Sequence, residues 1–402
     1  MKKIFILVGS LTFFQYFAKA QTQDSTGYQK QKLNKTELEF VYNHYFQDGN
    51  NSAVTGGIGT EQLIVYSPAL TLKKDYYHKK LTLHLGADIV SSASTDNIDF
   101  VRSSASSVDT RFYVDGTYEK TFDKRNLSLS GTLGISGESD YLSLSYKFGL
   151  TKTDKQQLRT FNLQVQFFDD DLRYGRFNPD YFRPVSLIYP VELRGKEWFS
   201  QYKRYSYNLK MGLTQILNMR NTLGIFPEIS YQKGLLSTPF HRMYFSDGTL
   251  AVENLPNERL KGALAIKLNS FVGDKIVLKN NIEGYKDNFG IKSFALENET
   301  AIKINQTFTV MPNIRFYSQT ASNYFAAYKI HKSEEQFYTS DYDLSQFQTY
   351  SLGVGVRYSP LEFINKTNKF NTMIFRYNFT YRSNNLTAHT FSMIFQTEFR
   401  KK

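Results

Sequence analysis

The 402-residue sequence has no cysteine, a single tryptophan and only nine prolines. The missing cysteine excludes disulfides, thiolate metal centres and anchoring through a lipidated N-terminal cysteine. Long apolar runs are almost as scarce. Beyond the first twenty residues the chain is polar on average, with a mean hydropathy of −0.43 overall. Yet it carries 34 Phe and 29 Tyr, and aromatic residues make up 16% of it. A soluble protein this rich in rings would bury them in a core flanked by continuous apolar stretches. Without those stretches, the rings must be distributed along strands whose two faces differ.

The exception is the start of the chain. Residues 1–20 combine a basic beginning (Lys2, Lys3), an apolar run from Ile4 to Phe17 and the ending Ala18-Lys19-Ala20. This is the pattern of a secretory signal peptide cleaved before Gln21, and it is too short for a stop-transfer helix. The polar stretch 21–35 reads as a flexible periplasmic lead-in. The net charge of +12 falls to +9 once Lys2, Lys3 and Lys19 are removed. An excess of positive charge can attract nucleic acid, membrane phosphate or small anions, and export removes nucleic acid from that set.

Alternation with period two dominates the remainder. Leu81, Leu83, Leu85, Ala87 and Ile89 interleave with Thr82, His84, Gly86 and Asp88; Tyr350, Leu352, Val354, Val356 and Tyr358 interleave with Ser351, Gly353, Gly355 and Arg357. About sixteen such segments occur, each near the ten-residue length of a tilted membrane-crossing strand. They begin near Glu37, Glu61, Lys79, Thr110, Asn126, Asp140, Gln157, Arg204, Asn221, Glu258, Lys275, Gly290, Gln306, Gln346, Asn371 and Thr387. Short connections (73–78, 122–126, 218–221, 272–275, 305–306) alternate with long ones (47–59, 91–108, 169–203, 236–257, 320–345). Lipid offers no partner for an unpaired N–H or C=O, so such strands must close on themselves.

The expectation is therefore an all-β transmembrane antiparallel barrel over 36–402, with about 16 strands (14–18 allowed), short periplasmic turns and long extracellular loops. It would lie as a multi-pass barrel in the outer membrane of a Gram-negative bacterium, in contact with lipid and lipopolysaccharide. A secreted sandwich or propeller is the weaker alternative. No second hydrophobic layer and no repeat of blade length supports it.

Several segments resemble the domain of unknown function 3570 family of bacterial outer-membrane barrels. They are Thr214-Gln215, the Leu255-Pro256-Asn257-Glu258-Arg259 element, Tyr285-Lys286-Asp287-Asn288-Phe289-Gly290-Ile291 and Arg315-Phe316-Tyr317-Ser318-Gln319. The chain departs from the family pattern at Phe289, where Trp is expected, and at Phe240-His241, where a Tyr is usual. The resemblance implies an outer-membrane barrel. It also implies a genomic setting near a flavin-attaching transferase and thioredoxin-like proteins, and hence a link to extracytoplasmic redox or metal handling.

Six histidines occur (His44, His78, His84, His241, His331, His389), none in a local metal-ligand spacing. His84 and Asp88 share a luminal strand face, where a hydrogen-bonded wall pair is the commoner arrangement than a metal or acid–base site. No Gly-x-Ser-x-Gly elbow surrounds Ser143, Ser145 or Ser392, so the sequence offers no catalytic constellation, and no cofactor is implied.

Strand parity sends Lys210, Lys261, Lys267, Arg315, Arg357, Arg376 and Arg382 inward, together with Asp88, Glu283 and Glu297. A Lys or Arg on the lipid face would cost roughly 2–4 kcal/mol at the midplane. These charges either pair and stiffen the wall or line a water path whose sign selects solutes. The expected function is a porin-like or transport barrel that passes or binds a small, anionic solute. The alternative is a structural barrel with a plugged lumen that binds a periplasmic or surface protein partner.

The stretch 239–262 gathers His241, Asp247, Glu253, Glu258 and Arg259 around an Asp-Gly turn. Its place between two strands makes it an extracellular loop with a hairpin through Asp247-Gly248. Glu253, Glu258 and Arg259 are candidates for holding that loop against its neighbours.

Overall fold

The computed structural model describes residues 35–92, 108–138, 141–172, 202–238, 241–360 and 368–400. The signal peptide read at 1–20, the segment 21–34 and most of the 169–203 loop lie outside these residues.

Sixteen of the strands form one closed antiparallel barrel. In chain order they are β1 (Lys35–Asp48), β2 (Leu63–Tyr76), β3 (Lys79–Ser92), β4 (Val108–Phe122), β5 (Leu127–Glu138), β6 (Tyr141–Thr153), β7 (Arg159–Asp171), β8 (Lys203–Asn218), β9 (Asn221–Gly234), β12 (Glu258–Val272), β13 (Ile276–Asp287), β14 (Lys292–Lys303), β15 (Phe308–Gln319), β16 (Phe347–Tyr358), β17 (Asn368–Arg382) and β18 (Leu386–Arg400). The remaining two, β10 (Arg242–Tyr244) and β11 (Leu250–Val252), make a separate small hairpin. Each of the sixteen expected start points falls within three residues of an observed barrel strand.

Closure is made by β1 against β18, in a register that runs from Lys35 opposite Arg400 to Asp48 opposite Thr387. This seam leaves no barrel strand with an open edge, which is what a hydrocarbon solvent demands. The start of β1 and the end of β18 thus lie on the face that also carries the turns after β2, β4, β8, β12 and β14. We take this face as periplasmic. On the opposite, extracellular face three connections are also short, between Glu138 and Tyr141, Asp287 and Lys292, and Arg382 and Leu386. The long extracellular loops are accordingly interspersed with tight ones.

Parity is clean. In β12, Leu260, Leu264, Ile266 and Leu268 are exposed on the outside, whereas Arg259, Lys261 and Lys267 point to the lumen side and are half-buried. The exterior is apolar all round, with Leu83, Val114, Leu133, Phe148, Ile229, Ile282, Leu352 and Phe375 among the large exposed side chains. Rings concentrate near the strand ends. Phe167 lies 5.1 Å from Tyr207, and Phe316 lies 5.2 Å from Tyr350 towards the extracellular end, while Phe308 lies 5.0 Å from Tyr358 towards the periplasmic end. From Tyr350 to Tyr358 the strand covers about 27 Å, or about 20 Å along the axis at a tilt near 40°, close to the height of an outer-membrane apolar band. A closed barrel with this exterior is a multi-pass outer-membrane barrel.

Candidate functional site: a charged lumen beneath a packed cap

The luminal side chains come together in two zones. Nearer the periplasm, Glu299 of β14 accepts from Lys279 Nζ of β13 at 2.6 Å and from Arg376 Nη1 of β17 at 2.5 Å. The Arg376 guanidinium also lies 3.9 Å from Met311 Sδ, and Arg357 Nη2 approaches the same sulfur at 3.3 Å. Met311 is fully buried and packs with Ala301 and Ile374. Room for this group comes from Gly355 on the luminal face of β16, where a Cβ would stand 3.0 Å from Met311 Cε and 3.1 Å from Arg376 Cγ. Two cations thus share one carboxylate, and a third, Arg357, lies beside them on the Met311 sulfur. Arg357 has no ion pair among the described residues, and its Nε, like that of Arg376, has no hydrogen-bond partner.

Other parity-selected groups are dispersed around the wall. Lys210 pairs with Glu228 at 3.2 Å and Arg315 with Glu283 at 3.8 Å. Glu297 stands opposite Arg315 in the β14–β15 register, and Lys267 Nζ lies 5.9 Å from the Phe226 ring centre. Lys261 stands opposite Asp287 in the β12–β13 register. His84 bonds through Nδ1 to Thr71 Oγ1 at 2.9 Å, whereas Asp88 is bonded to Ser67 and faces Arg111 of β4, so the two have separate partners. Arg382 sits at the extracellular rim, where Nη1 donates to Asp343 Oδ1 at 2.6 Å and Nη2 to the Tyr342 carbonyl at 2.8 Å.

The second zone is a cap built from three extracellular loops, 49–62, 235–257 and 320–346. The β10–β11 hairpin is closed by Asp247, whose Oδ1 accepts from the Thr249 amide at 2.8 Å, with Gly248 at φ +84°. The next loop zips onto it: Ser246 N donates to the His331 carbonyl at 2.8 Å, Tyr338 N to the Asn254 carbonyl at 2.8 Å, and Lys329 N to the Tyr244 carbonyl at 3.1 Å. Met243 and Thr339 are completely buried between them. In the third loop, Gly57 (φ +88°) lies so close that a Cβ would meet the Ser340 carbonyl at 2.7 Å.

The most specific sequence elements buttress this cap. Arg259 Nε donates to Asp287 Oδ2 at 2.9 Å, Tyr285 Oη donates to the same oxygen at 2.7 Å, and Asp287 Oδ1 accepts from the amides of Phe289 and Ile291. Phe289, 1% exposed, packs with Leu255, Ile291 and Leu344, and the Arg259 guanidinium covers its ring at 4.6 Å. Tyr317 Oη donates to Gln319 Oε1, and Gln319 Nε2 in turn donates to the carbonyls of Asp343 and Ser345. Glu258 makes a different contact, an exposed pair with Lys233 at 3.3 Å.

Inside the cap His241, Glu253 and Asp341 converge. His241 Nδ1 is 3.5 Å from Glu253 Oε1 and 3.9 Å from Asp341 Oδ2. The sequence links the first two only weakly and Asp341 not at all, since it arrives on a loop a hundred residues downstream. Nearby, Glu61 is pushed up to about 7, chiefly by burial and next by the charge of Asp343, partly offset by Arg382.

A family model described as "Protein of unknown function (DUF3570)" matches residues 90–385. No curated protein matches the chain. Among solved structures, the chain is similar to a bacterial polysaccharide outer membrane secretin, with 9% identity, a TM-score of 0.48, and 93% of this chain and 100% of that one covered. It is also similar to a BenF-like porin from Pseudomonas fluorescens Pf-5, with 9% identity, a TM-score of 0.42, and 92% and 100% covered. A third is OccK1 (OpdK) of Pseudomonas aeruginosa, with 7% identity, a TM-score of 0.37, and 92% and 99% covered.

Proposed function

We propose, for a chain that belongs to the DUF3570 family of proteins of unknown function, that this porin-like barrel binds and passes a small anionic solute through its lumen. The observation that carries the reading is the pairing of both Lys279 and Arg376 with the single carboxylate Glu299, with Arg357 held beside Arg376 on the Met311 sulfur and without an ion pair of its own among the described residues. Two of the four charges there are uncompensated. Held by the wall and by Met311, the guanidiniums cannot retreat into bulk water. An anion with two or more oxygens can accept from Arg357 while Glu299 keeps Arg376 and Lys279 in place.

The cap would then govern access from outside. Its three loops are packed through buried side chains and backbone hydrogen bonds, so entry requires a concerted shift rather than side-chain motion alone. This same packing favours a second reading, a structural barrel whose rigid cap docks a surface partner. Reconstitution in planar bilayers separates them. A conducting barrel in a salt gradient should give a reversal potential of anion-selective sign. Zero conductance, or cation preference, would refute the anion path and leave the docking role.

A further inference from the structure

We propose that His241, Glu253 and Asp341 form a site for a divalent first-row transition metal ion, matched by Zn²⁺, that fastens the β10–β11 hairpin to the 320–346 loop.

The three donors are brought together from two separate loops. Glu253 reaches the site because its amide donates to the His241 carbonyl at 3.0 Å across the base of the hairpin. Asp341 is delivered by the strand-like pairing of Tyr338 with Asn254. One ligand atom from each residue lies within 4.8 Å of the others. Around a tetrahedral ion with bonds near 2.0–2.2 Å, donors stand about 3.4 Å apart, so the His241 contacts at 3.5 and 3.9 Å need only a small contraction.

The donors are already oriented by further hydrogen bonds. Glu253 Oε2 accepts from the Thr238 amide and Oε1 from the Thr339 hydroxyl, both at 2.6 Å. That hydroxyl also accepts from the Asp341 amide at 3.0 Å, so one threonine ties the two carboxylates together. Asp341 Oδ1 accepts from the Asp343 amide at 2.9 Å, and Oδ2 is the oxygen that faces the imidazole. Carboxylates held this way are what a metal's surroundings supply.

The independent observation is His241 itself. The residue is 9% exposed, and its Nδ1, aimed between the two carboxylates, is buried without a hydrogen-bond partner. A lone pair there would face two anions across less than 4 Å, and an N–H there finds no aligned acceptor. A cation at the centre resolves both problems, because the neutral imidazole and the two carboxylates each then bind it. The donor set selects the ion class. An imidazole nitrogen with only two carboxylates is poor for Ca²⁺, which takes six to eight oxygens, and is well suited to Zn²⁺ with a water as its fourth ligand.

The test uses the full chain, folded in detergent, stripped with a chelator and titrated with Zn²⁺ by calorimetry and with Co²⁺ by visible absorbance. One ion per chain is expected, with a Co²⁺ spectrum of four- or five-coordinate nitrogen and oxygen ligation. Loading should slow proteolysis of the 235–257 and 320–346 loops. His241→Ala and Asp341→Asn should each weaken binding at least tenfold, and Thr339→Val by roughly tenfold through lost orientation. Asp341→Asn keeps an acceptor for the Asp343 amide, so it reports on ligation even if His241→Ala does not fold, as read by heat-dependent gel mobility. Glu258→Gln, which breaks the exposed rim pair with Lys233, should leave affinity unchanged. Absence of stoichiometric binding overturns the proposal. Binding that survives His241→Ala and Asp341→Asn overturns it equally.

Discussion

Arg259 and Asp287 form an ion pair where β12 meets β13: the Asp287 side chain has no solvent exposure, and Arg259, itself only slightly exposed, both grips it and covers the face of Phe289. The β13–β14 turn hangs from this pair, since Asp287 Oδ1 also holds two of the turn's amides. Removing one partner of such a pair strands the other as a buried charge. Asp287→Ala should therefore cost about 3–5 kcal/mol of local stability. Glu258→Gln, which breaks a half-exposed pair with Lys233, should cost about 0–1 kcal/mol. Native-state proteolysis of the 235–257 loop measures both, and equal sensitivity of the two variants would contradict the assignment of the buttress to Asp287.

Gly290 offers a backbone test of the same corner. It adopts φ +92°, and a Cβ there would stand 2.3 Å from Asn323 Oδ1. Gly290→Ala should combine left-handed strain with displacement of Asn323 and cost about 1–3 kcal/mol. Hydrogen exchange at Phe289 and Asn323 should rise, while exchange in β3 and β4, opposite β13 and β14 in the closed barrel order, stays as in the parent protein.

Arg357 is the luminal cation whose removal is most informative, because it holds no carboxylate in place. Arg357→Gln should lower anion selectivity in single-channel recordings without altering folding. Glu299→Gln should act in the opposite direction, since it leaves Lys279 and Arg376 without their shared counter-charge and raises the net positive field. Identical reversal potentials for parent, Arg357→Gln and Glu299→Gln would place selectivity elsewhere in the lumen.

Glu61 gives the cap a pH dependence whose sign can be worked out. Its ordinary value is 4.5, and in the folded cap burial and Asp343 raise it to about 7. Between these values the folded cap retains a proton that an opened cap releases. Raising the pH through this window therefore costs stability, and the contribution present below pH 4.5 is lost by about pH 7. In chelator, proteolysis of the cap should accelerate from pH 5 to pH 7.5. Glu61→Gln should flatten that profile; a slope that persists in this variant would assign the effect to another group.

The barrel was legible because its signal is local and repeated. Sixteen alternating segments located the strands, and lipid required that they close. The parity rule assigns a side to every named charge, because a strand turns its side chains to alternate faces whatever its neighbours are. Loop 239–262 could be recognised as a hairpin from Asp247-Gly248 alone. What it touches was not legible: Arg259 finds Asp287 of the next strand rather than Glu258 beside it, and Arg382 reaches out to Asp343 of the cap.

Period-two alternation, a polar average with abundant rings, and turns of two lengths sufficed by themselves to determine a closed, lipid-facing barrel, since hydrocarbon leaves the backbone no other solution. Only the tertiary structure decided which charges share a partner. Arg376 meets Glu299 across 77 residues, and Glu253 meets Thr339 across 86. Those encounters depend on barrel curvature, strand stagger and the folding of one loop over another. A chain read two residues at a time carries no local trace of them.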